Sequence, residues 1–237
     1  MRDLATTIDG IGALAEPVRR SLYESVAASG EPLSREQAAD AVGVPVHTAK
    51  FHLDRLVAEG LLEVEFRRLS GRTGPGAGRP AKLYRRSARE FSVSLPPRHY
   101  DLAGQILADA VTRAGVGEPL DDALARAARD TAYGIVEGSG DGLGELLGRL
   151  GYEPHRAERG LRLVNCPFHA LARQHTALVC GVNRDFVQGL IEALGRDDVT
   201  ACLTPTPGQC CVTVVDRSSA TPEEGGLLES RFRPESA

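Results

Sequence analysis

Apolar residues recur at helical spacing through much of this chain, and the breaks in that rhythm mark its parts. Residues 1–12 carry no clear stripe and read as a loose lead-in. From Glu16 to Ala28, Val18, Leu22 and Val26 recur every four residues, which predicts a helix, with Pro17 tolerated in its first turn and Gly30 past its end. Ser34, followed three residues on by Gln37, has capping-box spacing and opens a short helix that ends near Gly43. Pro45 suits the start of a third helix. Its apolar stripe is Ala49, Leu53, Leu56 and Val57, and Gly60 stops it. LLEVEF and AKLYRR then read as two strands. The segment between them, RRLSGRTGPGAGRP, is too rich in Gly and Pro for either element and reads as a hairpin tip.

From Pro96 the pattern changes. Tyr100 to Arg113 has a narrow stripe of Leu102, Ile106, Leu107 and Val111. Further helices are expected at Leu120–Val136 and Gly142–Leu150, and strands at 151–157 and 160–165. A short helix, PFHALARQ, follows Cys166. Ala177 to Leu194 carries Val179, Val182, Phe186, Leu190 and Leu194 on one side. Strands near 199–204 and 211–216 are joined by PTPGQ, and residues 217–237 look like a disordered tail. The fold class is therefore α+β. It comprises a winged helix-turn-helix at 1–90, a helical linker at 96–116, an α/β domain at 117–216 and the tail.

Composition sharpens this. The chain has 237 residues, long enough for two modest domains. Aromatic residues are 5% and Trp is absent, so the cores must be built from Leu, Val, Ala and Ile. A net charge of −4 argues against a wholly basic nucleic-acid binder. The charge is uneven, however. Residues 1–90 have a net of +2 and residues 91–237 a net of −6, and Phe66 to Arg89 holds eight basic residues and no acidic one. The N-terminus shows no targeting signal, and no run approaches the ~20 apolar residues of a membrane span, so the expected location is the cytoplasm.

In the winged-helix reading, the third helix buries Ala49, Leu53 and Leu56. That turns His47, Thr48, Lys50, His52 and Arg55 outward, where a major groove would receive them. Arg72, Arg79 and Lys82 on the hairpin would lie along phosphate or the minor groove. The same elements would also suit an ordinary three-helix domain for protein contacts with a solvated basic loop.

Five cysteines, an odd number, do not form a disulfide framework in a reducing compartment; metal binding, redox chemistry and burial remain. Thirteen residues separate Cys166 from Cys180, 21 more lead to Cys202, seven more to Cys210, and Cys211 is adjacent. These gaps are too long for a zinc knuckle built on paired C-x-x-C hairpins, and they require a site assembled from separate elements. Near a helix start, Cys180 would gain thiolate character from the helix dipole, and Cys166 would gain similarly ahead of its short helix. Strand alternation allows only one of Cys210 and Cys211 on a given face. Plain burial is the competing reading for each cysteine, and most strongly for Cys202 and Cys211. His175 is expected to cap or pack at the helix junction.

The segment HTAKFHLDRLVAEGLL, followed by a strand, the Arg/Gly tip and GRPAKLYR, resembles the winged-helix domain of ArsR-like regulators over residues 14–90. NCPFHALA…HTxxC with a late CC resembles the C-terminal half of SufR-type regulators, a likeness spanning residues 14–216. That resemblance implies a homodimeric repressor of iron–sulfur cluster assembly genes on a palindromic double-stranded DNA operator, with no membrane partner. Residues 96–116 would be its dimerisation helix and 117–216 its sensor domain. It further implies a cysteine-ligated iron–sulfur cluster, of the 4Fe–4S type, one per chain. Cys166, Cys180 and Cys210 would be its ligands, with Cys211 facing the core. The fourth ligand stays open among Cys202, Cys211, His169 and an external group. Two other readings stand beside this one. The thiols could bind zinc or act as a metal-free redox switch. Alternatively, Cys166 would be a nucleophile with His169 as its base, although no third orienting residue is evident and the expectation is that the chain is not an enzyme.

Overall fold

The computed structural model describes residues 4–68 and 80–219. The chain divides into two units, Met1–Val93 and Ser94–Ala237.

Unit 1 starts with a helix where a loose lead-in was expected: α1 spans Leu4–Ala13. Its buried positions are Thr7, Gly10 and Ala13, which is why no apolar stripe announced it. A Cβ on Gly10 would lie 2.3 Å from the Phe91 ring, so only glycine lets that ring close over the helix. Helix α2 (Pro17–Ala28) is capped by the Glu16 side chain, which accepts from the backbone N–H groups of Val18 and Arg19. A two-residue strand, β1 (Leu33–Ser34), leads into α3 (Arg35–Val42). The Ser34–Gln37 capping box is complete in both directions, at 3.2 and 2.8 Å. Helix α4 (Val46–Ala58) buries Ala49, Leu53 and Leu56 fully against α2 and α3, while Val57 is half-buried. Strands β2 (Leu62–Arg67) and β3 (Ala81–Arg86) pair antiparallel from Leu62↔Arg86 to Arg67↔Ala81, and β1 adds to the other edge of β3. Helices α2, α3 and α4 and this order of strands, β1-β3-β2, give the winged helix-turn-helix architecture.

Unit 2 holds α5 (Tyr100–Gly115), α6 (Leu120–Glu137) and α7 (Leu143–Arg149). Helix α5 packs along α6 within this unit. It does so through Ala103, Ile106 and Ala110, whereas Val111, expected in its stripe, is 65% exposed. Small residues win because α6 offers an alanine face of Ala123, Ala127, Ala128 and Ala132, all of which are buried. Strands β4 (Pro154–Ala157) and β5 (Gly160–Leu163) form a hairpin. Helices α8 (His169–Gln174) and α9 (Thr176–Ala193) follow, then β6 (Val199–Leu203) and β7 (Val212–Asp216). The sheet is antiparallel in the order β4-β5-β7-β6. Helix α9 lies between this sheet and α6. At its crossing with α6, a Cβ on Gly189 would meet Ala132 Cβ and Arg129 Cα, each at 2.9 Å. Arg217–Ser219, expected to be disordered, form a 3₁₀ turn that Arg217 anchors by donating its N–H to Asp198 O at 2.9 Å. The rest of the expected tail lies outside the described residues.

Candidate nucleic-acid interface and cysteine site

The recognition surface starts with how α4 is held. Its buried stripe fixes the opposite face outward. His47, Lys50 and Arg55 are exposed on α4, and Thr48 is half-buried. His52 departs from the expected outward placement. Its side chain is only 13% exposed and packs beside the N-terminal cap of α2, with Nδ1 3.4 Å from Glu16 Oε2 and no hydrogen bond to it. Arg55 Nη2 pairs with Glu59 Oε1 at 2.5 Å, one turn along the same helix. Lys82 on β3 reaches back to α4. Its ammonium donates to Asp54 Oδ1 at 2.6 Å and sits 5.0 Å from the centre of the Tyr84 ring, and Tyr84 OH donates to the same Asp54 oxygen at 3.0 Å. Partial burial pushes the Asp54 carboxyl up, but the Lys82 and Tyr84 hydrogen bonds outweigh it and hold the group below the usual carboxylate range. Arg72 and Arg79 lie outside the described residues. One prominent residue of this face was absent from the sequence reading: Phe51, outside the apolar stripe of Ala49, Leu53, Leu56 and Val57, is 68% exposed in the middle of α4.

In unit 2 the thiols come together as two pairs. Cys166 follows β5 and sits just before α8. Cys210 joins it because its backbone N–H donates to Leu163 O at 3.0 Å, which fastens the 204–211 turn to the end of β5. The Cys210 thiol donates to the Cys166 sulfur. Cys180, on α9, is hydrogen-bonded with Cys211 and lies within electrostatic reach of Cys166. The Cys166 thiol is brought down to about 7 by the hydrogen bond from Cys210, against the opposing effect of burial, with help from the Phe168 N–H and the Arg98 charge. Its role as donor to Cys166, and then burial, push Cys210 strongly the other way.

Two expectations are corrected here. Cys180 is pushed up to about 12, by burial and then by Cys211. It is the fifth residue of α9, beyond the first turn where the helix dipole acts, and it is only 6% exposed. Cys211 does not face the core alone. Residues 210 and 211 precede β7 in a turn, so strand alternation does not separate them; Cys210 meets Cys166 and Cys211, half-buried, meets Cys180. Cys202 is buried on β6, opposite Thr213 in register. The side chains of His169 and His175 are exposed. His175 is the N-cap residue of α9 but makes no side-chain cap, and His169 contributes its backbone N–H to Cys166 O at 3.2 Å.

Polar residues that the sequence reading passed over hold this site. Arg98 donates to Asn165 Oδ1 and, at 3.2 Å, to Cys166 O. Asn165 donates to Gly151 O at 2.5 Å and to Pro97 O at 3.1 Å. Asn183 donates to Cys210 Sγ at 3.3 Å and accepts from the buried Tyr152 OH at 2.5 Å. Asn183 is one helical turn past Cys180, and Asn165 directly precedes Cys166, so adjacency was the available signal. Among the described residues, no three His, Cys, Asp or Glu side chains gather into a metal-binding group. What the fold brings together is two thiol pairs, Cys166 with Cys210 and Cys180 with Cys211, and thiols are the donor type that iron–sulfur clusters take.

Residues 14–65 match the family described as helix-turn-helix domain. Unit 1 carries a helix-turn-helix. Such a domain suggests double-stranded DNA as partner and transcriptional regulation as role. No curated protein matches the chain. Among solved structures, human N-acetylserotonin methyltransferase in complex with SAM is similar at 17% identity, over 80% of this chain and 47% of that one, with a TM-score of 0.21. A superposition that loose carries no information about activity. No helix among the described residues is long and apolar enough to cross a membrane.

Proposed function

We infer that this chain is a homodimeric transcription repressor, with the helix-turn-helix of unit 1 on a palindromic operator and the cysteines of unit 2 as its sensor. The observation that supports the sensor is the pairing of Cys166 with Cys210 and of Cys180 with Cys211, thiols that come from a loop, a helix and a turn. Cys166, Cys180 and Cys210 would hold an iron–sulfur cluster, with Cys211 as the fourth thiol at hand. When bound, such a cluster supplies a cross-link sensitive to iron and oxidants. Arg98 and Asn165 fix the loop that presents Cys166, and Asn183 orients Cys210, so these residues set the separation of the thiols. Control of cluster-assembly genes fits such a sensor. Coupling to DNA binding requires the loaded and empty states to differ in the geometry of the dimer.

The test is purification without air, followed by iron and sulfide assay, absorption spectra and operator binding with and without the cofactor. Iron and sulfide bound by the wild type and lost in Cys166→Ser, Cys180→Ser and Cys210→Ser support the reading. A colourless protein with neither refutes it.

A second reading has its own support, the direct hydrogen bond between the Cys166 and Cys210 thiols. In a metal-free switch, hydrogen peroxide would oxidise the two thiols to one disulfide and be reduced to two waters. Zinc bound without sulfide would favour a third ligand chemistry at the same thiols.

A further inference from the structure

The face of α4 turned furthest from the core carries an aromatic ring at its middle. An α-helix advances by about 100° per residue. By that spacing, Ala49, Leu53 and Leu56 cluster on one side, and Phe51 and His47 lie diametrically opposite. Phe51 is 68% exposed, against 38% for Val46, the other exposed large apolar residue of the helix. Its ring stands edge-on to His52, with centroids 5.2 Å apart and planes at 73°. The His52 side chain is itself only 13% exposed, so the phenyl group is braced from one side. Around it stand His47, Lys50 and Arg55, all exposed, with Arg55 paired to Glu59 and Asp54, three residues on, paired to Lys82.

An exposed ring flanked by Lys50 and Arg55, on the second helix of a helix-turn-helix, suits an occupant that is anionic at its margins and apolar at its centre. The major groove of double-stranded DNA has that arrangement. Phosphates line its edges, and the C5 methyl of thymine is the apolar group that the bases present there. We propose that Phe51 packs against a thymine methyl in each half-site and is a specificity-determining residue of this protein. This rests on the DNA-binding reading of unit 1. A second copy of the chain is the competing occupant, since Phe51 also borders a shallow groove lined by Ile8, Gly12 and Ala13 of α1.

The experiment uses the full chain. A preferred duplex is selected from a random pool by the wild type, and each thymine in it is then replaced singly by uracil, which lacks only the methyl. Binding is measured by fluorescence anisotropy for wild type, Phe51→Ala and Phe51→Leu. At one thymine per half-site, uracil weakens wild-type binding about fourfold, the worth of one buried methyl. Phe51→Ala binds both forms equally, and Phe51→Leu retains part of the discrimination. Because the side chain is exposed, melting temperatures stay unchanged. A uracil profile that is identical in wild type and Phe51→Ala overturns the proposal, as does a change in oligomeric state with that profile intact. Failure of the wild type to select any sequence refutes the DNA-binding reading as well, which distinguishes the two failures.

Discussion

Lys82 Nζ lies 2.6 Å from Asp54 Oδ1, and this contact fastens strand β3 to helix α4. The lysine charge is therefore partly spent inside the protein. Lys50, on the exposed side of α4, has its charge turned to solvent. On DNA, Lys50→Ala is expected to reduce the salt slope of binding by about 1, as for one phosphate contact. Lys82→Ala should reduce it less. Asp54→Asn releases Lys82 and removes a negative charge from the same surface, so it should tighten binding at low salt by roughly two- to fivefold. Titrations at several salt concentrations check all three, and a weaker-binding Asp54→Asn would show that the ion pair positions the wing.

The Glu16 cap gives a prediction about pH. The carboxyl accepts from the Arg19 and Val18 backbone N–H groups, and these bonds, the Arg19 one foremost, hold it below its ordinary range. A depressed carboxyl contributes stability above its unfolded pKa and loses that contribution as pH falls through the folded one. Glu16→Ala should therefore lower the melting temperature at neutral pH, and the difference from wild type should shrink as the solution is taken into the acid range. A difference that is constant with pH would mean that the cap acts through packing rather than through its charge.

The winged helix was legible because its stripes are made of Leu and Val and its ends of capping residues. Ser34, Gly43 and Gly60 stop and start helices in any context. Helix α1 was not legible, since Thr7, Gly10 and Ala13 form its contact face and Phe91, far along the chain, completes it. In unit 2 the elements were visible, but their contacts were not. Val111 looked like core and faces solvent, because α6 is an alanine surface that favours Ala103 and Ala110. The pairing of the thiols depends on a turn conformation, fixed by the Cys210-to-Leu163 backbone bond, that no periodicity reports. His52 was misplaced because the residue that covers it, Glu16, caps another helix.

Two glycines on the helices of unit 2 should respond oppositely to the same substitution. Gly134 on α6 is exposed, and an added Cβ would meet nothing within 4 Å. Gly134→Ala is expected to stabilise the protein by about 0.5–1 kcal/mol through helix propensity. Gly189→Ala drives a methyl against Ala132 and the Arg129 backbone, each at 2.9 Å, and neither can yield without parting α6 from α9. Overpacking of this kind costs roughly 1–3 kcal/mol. Urea unfolding of both variants decides the matter, and a stable Gly189→Ala would show that the two helices can separate at little cost.

The buried chain Tyr152–Asn183–Cys210 connects the core of unit 2 to its thiols. Tyr152 and Asn183 are at most 1% exposed, so neither finds water if its partner is removed. Tyr152→Phe leaves Asn183 Oδ1 without its donor, and Asn183→Ala strands the Tyr152 hydroxyl; each should cost about 1–3 kcal/mol. Because they break the same bond, the double variant should fall well short of the sum, by a coupling of about 0.5–3 kcal/mol. Asn183→Ala alone also frees Cys210 Sγ from the amide that orients it, at 3.3 Å. That variant should therefore lose whatever occupies the thiols faster than Tyr152→Phe does at equal stability. Equal loss from the two variants would mean that the amide supports the fold and leaves Cys210 to be placed by its backbone.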